Sequence, residues 1–150
     1  MATPQRLRWL FTEHPIFYIT ACTHSRRRIL DRPDVHNSFI RFGIQAAEYS
    51  VSVGRYVIMP DHVHLFARFG PQSVSVSTWM KSLKNAISRN VKQATFPGPH
   101  WQKGFFDHVL RSEESYEEKW LYVRDNPVRA GLVRLAEEWP YAGEIAKLNW

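Results

Sequence analysis

The segment 51–69 does most to limit what this chain can fold into: Val-Ser-Val-Gly-Arg-Tyr-Val-Ile-Met-Pro-Asp-His-Val-His-Leu-Phe-Ala-Arg-Phe. It is dominated by β-branched and aromatic residues, and only Pro60-Asp61 breaks it. Proline cannot donate to a ladder, and Pro-Asp is turn chemistry. The segment therefore predicts two strands, Val51–Met59 and His62–Phe69, folded into a hairpin. Successive strand side chains point to opposite faces. His62, His64, Phe66 and Arg68 share one face; Val63, Leu65, Ala67 and Phe69 share the other. Two imidazoles thus project side by side from one strand. Neutral imidazole is the commonest protein ligand for a catalytic divalent metal, so the pair is half of a metal site. A three-residue pattern also arises by chance, and read alone the pair admits both origins.

The flanking segments supply the other elements. Pro15–Thr23 is apolar and β-rich and predicts a first strand. Asp34–Tyr49 predicts a helix, with Val35, Phe39, Phe42 and Ala46 near helical spacing. Ser75–Gln93 predicts an amphipathic helix with Met80, Leu83, Ile87 and Val91 as its apolar stripe and Lys81, Lys84, Ser88 and Lys92 beside it. Phe96-Pro97-Gly98-Pro99 breaks the chain. Trp101–Arg111 contains a fourth strand. Ser112–Asn126 predicts a third helix, started by a Ser115/Glu118 capping box and stopped by Pro127. The order is βαββαβ plus a C-terminal helix, an α+β, ferredoxin-like antiparallel sheet. At 150 residues the chain is expected to form one domain, residues 1–150. Two helices cover the all-apolar sheet face, and the third helix is expected on the face that carries the histidines.

That third helix holds the other candidates. Tyr122 and Asn126 are four residues apart and stack on one helical face. Tyr116, Trp120 and Val123 form a separate apolar stripe, roughly 100° away from Tyr122 by the helical period. Tyr122 therefore points at something polar. Tyrosine is a poor nucleophile at its free pKa near about 10, and a metal acting as a Lewis acid on a phosphate makes attack feasible. An asparagine carbonyl is a hard oxygen donor, and a His62–His64–Asn126 set suits Mg²⁺ or Mn²⁺. Tyr122 also admits the role of a packed aromatic, and Asn126 that of a helix cap before proline.

Charge points to a polyanion. The net charge is +6, with 13 Lys/Arg against 5 Asp/Glu in residues 1–100 and 7 against 9 in residues 101–150. Arg26, Arg27, Arg28, Lys81, Lys84 and Lys92 are the candidate phosphate contacts, each also readable as ordinary surface charge. Asp61 either orients the histidine pair or serves the turn. His100 and His108 flank the aromatic block near the fourth strand. Cys22 is the sole cysteine, so an intrachain disulfide and a cysteine-rich zinc site are excluded. No apolar run is long enough to span a membrane, and residues 1–9 lack a signal-peptide core. The expected setting is cytoplasmic and nucleoid-associated.

Three blocks carry a resemblance. Met59-Pro60-Asp61-His62-Val63-His64-Leu65 resembles the HUH motif of single-tyrosine transposases. The stretches Trp101–His108 and Tyr122–Val133 resemble the REP-associated branch of that family, and so does the Asn126 that replaces the glutamine usual in mobile relatives. The likeness runs from the first strand to about Tyr141. It implies a HUH transposase-like domain with Tyr122 on the C-terminal helix as nucleophile, His62 and His64 as the metal pair and Asn126 as third ligand, using Mg²⁺ or Mn²⁺. It implies cleavage and rejoining of single-stranded DNA near hairpins, through a covalent 5′-phosphotyrosine and a free 3′-OH, by a monomer or homodimer.

Rival readings remain distinct. A domesticated protein that binds hairpins without cutting them needs the same fold. A stacking RNA binder leaves Tyr122 and Asn126 unexplained. A histidine-triad hydrolase needs a third alternating histidine, and position 66 is phenylalanine.

Overall fold

The computed structural model describes residues 14–149. The N-terminal stretch read above for a signal peptide lies outside them. The elements are β1 (Ile16–Cys22), α1 (Pro33–Gln45), β2 (Val51–Met59), β3 (His62–Phe69), α2 (Val76–Gln93), β4 (Phe106–Val109), α3 (Glu113–Arg124), α4 (Asn126–Arg129) and β5 (Ala142–Glu144). The sheet is antiparallel with order β4-β1-β3-β2-β5. Its first four strands and two helices realise the expected βαββαβ plan.

The alternation of β3 sorts the molecule into layers as expected. Val63, Leu65 and Ala67 are buried with Val35 and Phe39 of α1 and with Trp79, Met80, Leu83, Ile87 and Val91 of α2. On the opposite face, Phe66 and Ile16 pack with Leu110 and Tyr116, and Val57 and Met59 pack with Val123. The third helix therefore lies across the histidine-bearing face.

The fifth strand, β5 on the β2 edge, was not expected from the sequence, and four further local features depart from that reading. First, α1 ends at Gln45, and Ala46–Tyr49 form a tighter 3₁₀ turn. Second, β2 carries a bulge between Val53 and Tyr56. The extra residue shifts the alternation, so Val51, Val53, Tyr56 and Ile58 all face α1 and α2 while Val57 and Met59 face α3. Gly54 sits in the bulge, where a Cβ would come within 2.7 Å of Leu148. Third, α3 is capped by Ser112, whose Oγ accepts from the Ser115 backbone N–H at 3.0 Å, and not by a Ser115/Glu118 box. Fourth, the helix breaks at Asp125 and restarts as α4 before Pro127, so proline opens a short helix as well as ending a longer one. Its ring removes an N–H and disfavours the helical conformation of the residue before it. Among the described residues no helix is long and apolar enough to cross a membrane.

Candidate active site

The hairpin turn places the histidines, and the loop after β1 locks the turn. Backbone N–H groups of Ile29 and Leu30 donate to Pro60 O, and Thr23 N and Oγ1 donate to Asp61 O. Ser25 and Arg26 take left-handed φ values of 56° and 54°, conformations unfavourable for non-glycine residues. They aim the Arg26 guanidinium back at the turn, where Nε donates to Asp61 Oδ2 at 2.9 Å. Asp61 thus serves the turn and the histidine together: its Oδ1 lies 2.7 Å from His62 Nδ1.

These contacts favour one tautomer of each imidazole. A carboxylate only accepts, so His62 carries its proton on Nδ1 and leaves Nε2 bare. The Arg26 guanidinium is held to Asp61 through Nε, and its Nη2 lies farther from the same Nδ1, at 3.3 Å. The Asn126 amide Nδ2 only donates, and it lies 3.0 Å from His64 Nε2 and 3.4 Å from His62 Nε2. His64 Nε2 is therefore also an acceptor, and its Nδ1–H is shared by Tyr18 Oη at 2.8 Å and Thr20 Oγ1 at 2.9 Å. Two lone pairs from rings 4.6 Å apart and nearly perpendicular converge on one atom. Burial keeps both rings neutral. It pushes His64 down to about 3, with His62, Arg129, Arg26 and Lys119 adding to the shift. It also lowers His62, against the opposing pull of Asp61. The Asp61 carboxyl is raised by burial, but hydrogen bonds from Arg26 and His62 outweigh that and hold it below its ordinary value.

Tyr122 stands beside this centre with 65% of its surface exposed. The Arg129 guanidinium lies over its ring at 3.8 Å from the centroid and donates from Nη2 to Asn126 Oδ1 at 3.2 Å. One side chain thus ties Tyr122 to Asn126 across the helix break. Tyr18 stacks on His64, and Lys119 Nζ lies over the Tyr18 ring at 5.2 Å.

Among the described residues no three His, Cys, Asp or Glu side chains group as a metal site. Asn126, whose amide faces both ring nitrogens and carries an oxygen, is the neighbouring side chain that could supply a third donor to the histidine pair. Neutral imidazoles, bare nitrogens aimed at one point, and Nδ1 protons held by a carboxylate or hydroxyls are the donor chemistry that a divalent cation requires. The residues fit the group.

The six candidate phosphate contacts separate. Arg26 and Arg28 line a cleft of about 260 Å³ with Pro60, Asp61, His62 and Asn126. Arg27 donates to Pro97 O at 2.8 Å. Lys84 is turned onto Gln102 O and Gly104 O and lies over Trp101. Lys81 and Lys92 are exposed on α2, in the layer opposite the histidines. His100 donates to Phe96 O at 2.9 Å within its loop, and His108 is exposed on β4. Sequence reasoning missed Arg129, Tyr18 and Thr20. Thr20 pairs directly with His64, and a strand register would have found it. Arg129 follows Asn126 by three residues, the spacing of helical neighbours.

The profile of the transposase IS200-like family matches residues 13–125. The chain belongs to that family. His62, His64 and Tyr122 lie inside the span matched to the IS200-like profile, and Asn126 is the residue just after it. A Haemophilus influenzae protein provisionally named a REP-associated tyrosine transposase is 24% identical over 143 residues, covering 88% of this chain and 81% of its own. The REP-associated tyrosine transposase of Escherichia coli K12 is 22% identical over 90 residues, covering 60% of this chain and 52% of its own. A solved structure, described as a REP-associated tyrosine transposase bound to a REP hairpin, matches with TM-score 0.66. It is 20% identical and covers 86% of this chain and 76% of its own. At that identity the match speaks to the fold, which this IS200-like chain shares.

Proposed function

We propose that this IS200-like transposase is a metal-dependent endonuclease and strand transferase for single-stranded DNA beside hairpins, with Tyr122 as nucleophile. The observation that carries the proposal is the convergence of His62 Nε2 and His64 Nε2 on Asn126, with Tyr122 held to the same asparagine through Arg129. The hairpin enters from two supports, the family membership and the hairpin-bound structure of similar fold.

His62, His64 and Asn126 would hold Mg²⁺ or Mn²⁺, with Asn126 turning its amide so that Oδ1 replaces Nδ2. A cation bound there would supply Lewis-acid polarisation of the scissile phosphate. Tyr122 Oη attacks phosphorus and the P–O3′ bond breaks. The phenol gives up its proton, and the departing 3′ oxygen takes one up. The product is a 5′-phosphotyrosine and a free 3′-OH. One phosphodiester replaces another, so a 3′-OH can reverse the step and rejoin a strand. Arg129 places positive charge against the ring whose oxygen is the attacking group. Arg26 and Arg28 line the cleft beside His62 and can meet backbone phosphates there.

The test uses hairpin-forming repeats from the DNA that flanks the gene. EDTA should abolish cleavage, and Mg²⁺ or Mn²⁺ should restore it. Tyr122→Phe should abolish both cleavage and the denaturant-stable adduct while hairpin binding persists. Cleavage at the wild-type rate by His62→Ala or His64→Ala would sink the metal assignment. An adduct on Tyr18, Tyr116 or Tyr141 would sink the choice of nucleophile. Hairpin binding without any cleavage would favour a domesticated binder.

A further inference from the structure

The sheet row that carries the histidines continues onto β4, where two side chains have no part in the chemistry above. Thr20 pairs with His64 on one side and with Phe106 on the other, while Tyr18 pairs with Phe66 and with His108. Directly paired antiparallel residues share a face. Phe106 and His108 therefore lie on the histidine-bearing face, on the free edge strand. Phe106 is 70% exposed. Between β4 and α3 opens a cleft of about 270 Å³ lined by His108, Leu110, Ser115, Glu118, Lys119 and Tyr122. It shares Tyr122 with the proposed centre. The Arg26–Arg28 cleft shares His62 and Asn126 with it. Pairings place the two clefts on either side of the His64 row, one toward His62 and the other toward Phe66 and His108.

We propose that the β4–α3 cleft and the exposed Phe106 ring, which stands outside the cleft lining two residues before His108 on the same face of β4, together form a subsite for one unpaired nucleobase of the strand being cut, with the ring as its stacking platform. The proposal rests on Tyr122 being the nucleophile. Glu118 in the lining disfavours a phosphate occupant and suits an uncharged base edge, as do Ser115 and His108, which both donate and accept. Lys119 supplies the one cation for the adjoining backbone. The cleft is just smaller than the roughly 300–1,000 Å³ of pockets for drug-sized ligands, which fits a single base. An exposed aromatic face stacks any base without sequence preference. The geometry also assigns which base. Attacking and leaving oxygens lie in line across phosphorus. Tyr122 lines this cleft, so the leaving 3′ oxygen points away from it, toward Arg26 and Arg28. The bound base belongs to the nucleotide retained on the tyrosine.

The experiment measures affinity of the metal-free wild-type protein for a DNA hairpin with a single-stranded deoxyadenosine flank, replacing one adenine at a time by an abasic site. One position should weaken binding about five-fold or more. Phe106→Ala should weaken binding of the intact flank by a similar factor. The two losses should not add, and Phe106→Trp should restore both affinity and abasic sensitivity. Phe106 is exposed, so these variants keep the core; thermal melts check this. Additive losses, or a Phe106→Ala protein that binds as wild type, would overturn the subsite. A change of oligomeric state in Phe106→Ala with abasic sensitivity intact would make the ring a subunit contact instead. A sensitive base on the 5′ side of the mapped cut would overturn the assignment to the retained nucleotide. Cleavage through Tyr122 with additive losses keeps the nuclease and loses the subsite. Coupled losses without cleavage keep the subsite and lose the nuclease. Absence of hairpin binding removes both.

Discussion

Arg129 stacks on Tyr122 and donates to Asn126 with the same guanidinium. A planar fork can do both at once, and an ammonium cannot. Asn126 Oδ1 would leave Arg129 for the cation, so the contact that persists is the one with the ring, and Arg129→Ala should slow single-turnover cleavage about five-fold, the effect of losing about 1 kcal/mol of cation–π stabilisation. Arg129→Lys should not restore the rate, and neither change should move the melting temperature, because Arg129 is exposed. His64 makes the opposite kind of contribution. Burial pushes it down to about 3, whereas an imidazole in an unfolded chain titrates near about 6.5. Between those values only the unfolded chain takes up the proton, so acid favours unfolding. From this group stability is flat above about pH 6.5 and falls below it, by as much as about 1.4 kcal/mol per pH unit. Burial lowers His62 and His36 too, and their contributions have the same sign. Urea melts of metal-free protein at stepped pH should show a shallower acid slope for His64→Asn than for wild type. The histidine pair, Tyr122 and Asn126 were legible in the sequence because each depends on spacing within one segment. Arg129 and Tyr18 were not, because a break in the helix and a strand pairing bring them to the site. Lys84 read as a surface cation because its partners, Gln102 O and Gly104 O, belong to a distant loop.

Among the elements, the break between α3 and α4 decides where Asn126 goes. Val123 anchors α3 against Val57 and Met59, and Pro127 is buried in the next turn. An uninterrupted helix would carry Asn126 on a different path. Pro127→Ala restores the missing N–H and relaxes the residue before it. It should raise far-UV helicity and weaken Mn²⁺ binding by isothermal titration; unchanged Mn²⁺ affinity would show that the break does not position Asn126. Tyr122 and Asn126 were read as neighbours on one helix. They are brought to one site, but by a proline-opened second helix. The strands and helices with strong periodicity were legible for a plain reason: their apolar faces are long. β5 was not, because Ala142-Gly143-Glu144 has no β-branched residue and pairs with β2 only through register. The bulge at Gly54 was hidden as well, since a run buried on both faces shows no alternation to disturb.

For the whole molecule, the sheet separates charge as well as cores. Arg26 and Arg28 lie at the site, while Lys81 and Lys92 lie on α2 behind the sheet. If DNA crosses the histidine face, Arg28→Ala should lower the slope of log affinity against log salt by about 1, and Lys81→Ala or Lys92→Ala should leave it unchanged. Fluorescence anisotropy across a salt series reads this directly. Arg68 adds a different property. Its Nε donates to His14 O and its Nη2 to Asn149 O, each at 2.7 Å. Both limits of the described chain are thus within reach of one guanidinium, and the path between them is a ring closed by two hydrogen bonds. Covalent closure there costs little chain entropy, and the exposed loop between β3 and α2 offers a place to open the ring. A circular permutant with residue 149 joined to residue 14 by a short linker, and new ends in that loop, should melt cooperatively and bind the hairpin as the linear chain of residues 14–149 does. The site would then depend on the cyclic order of its segments, not on which bond of the ring is left open.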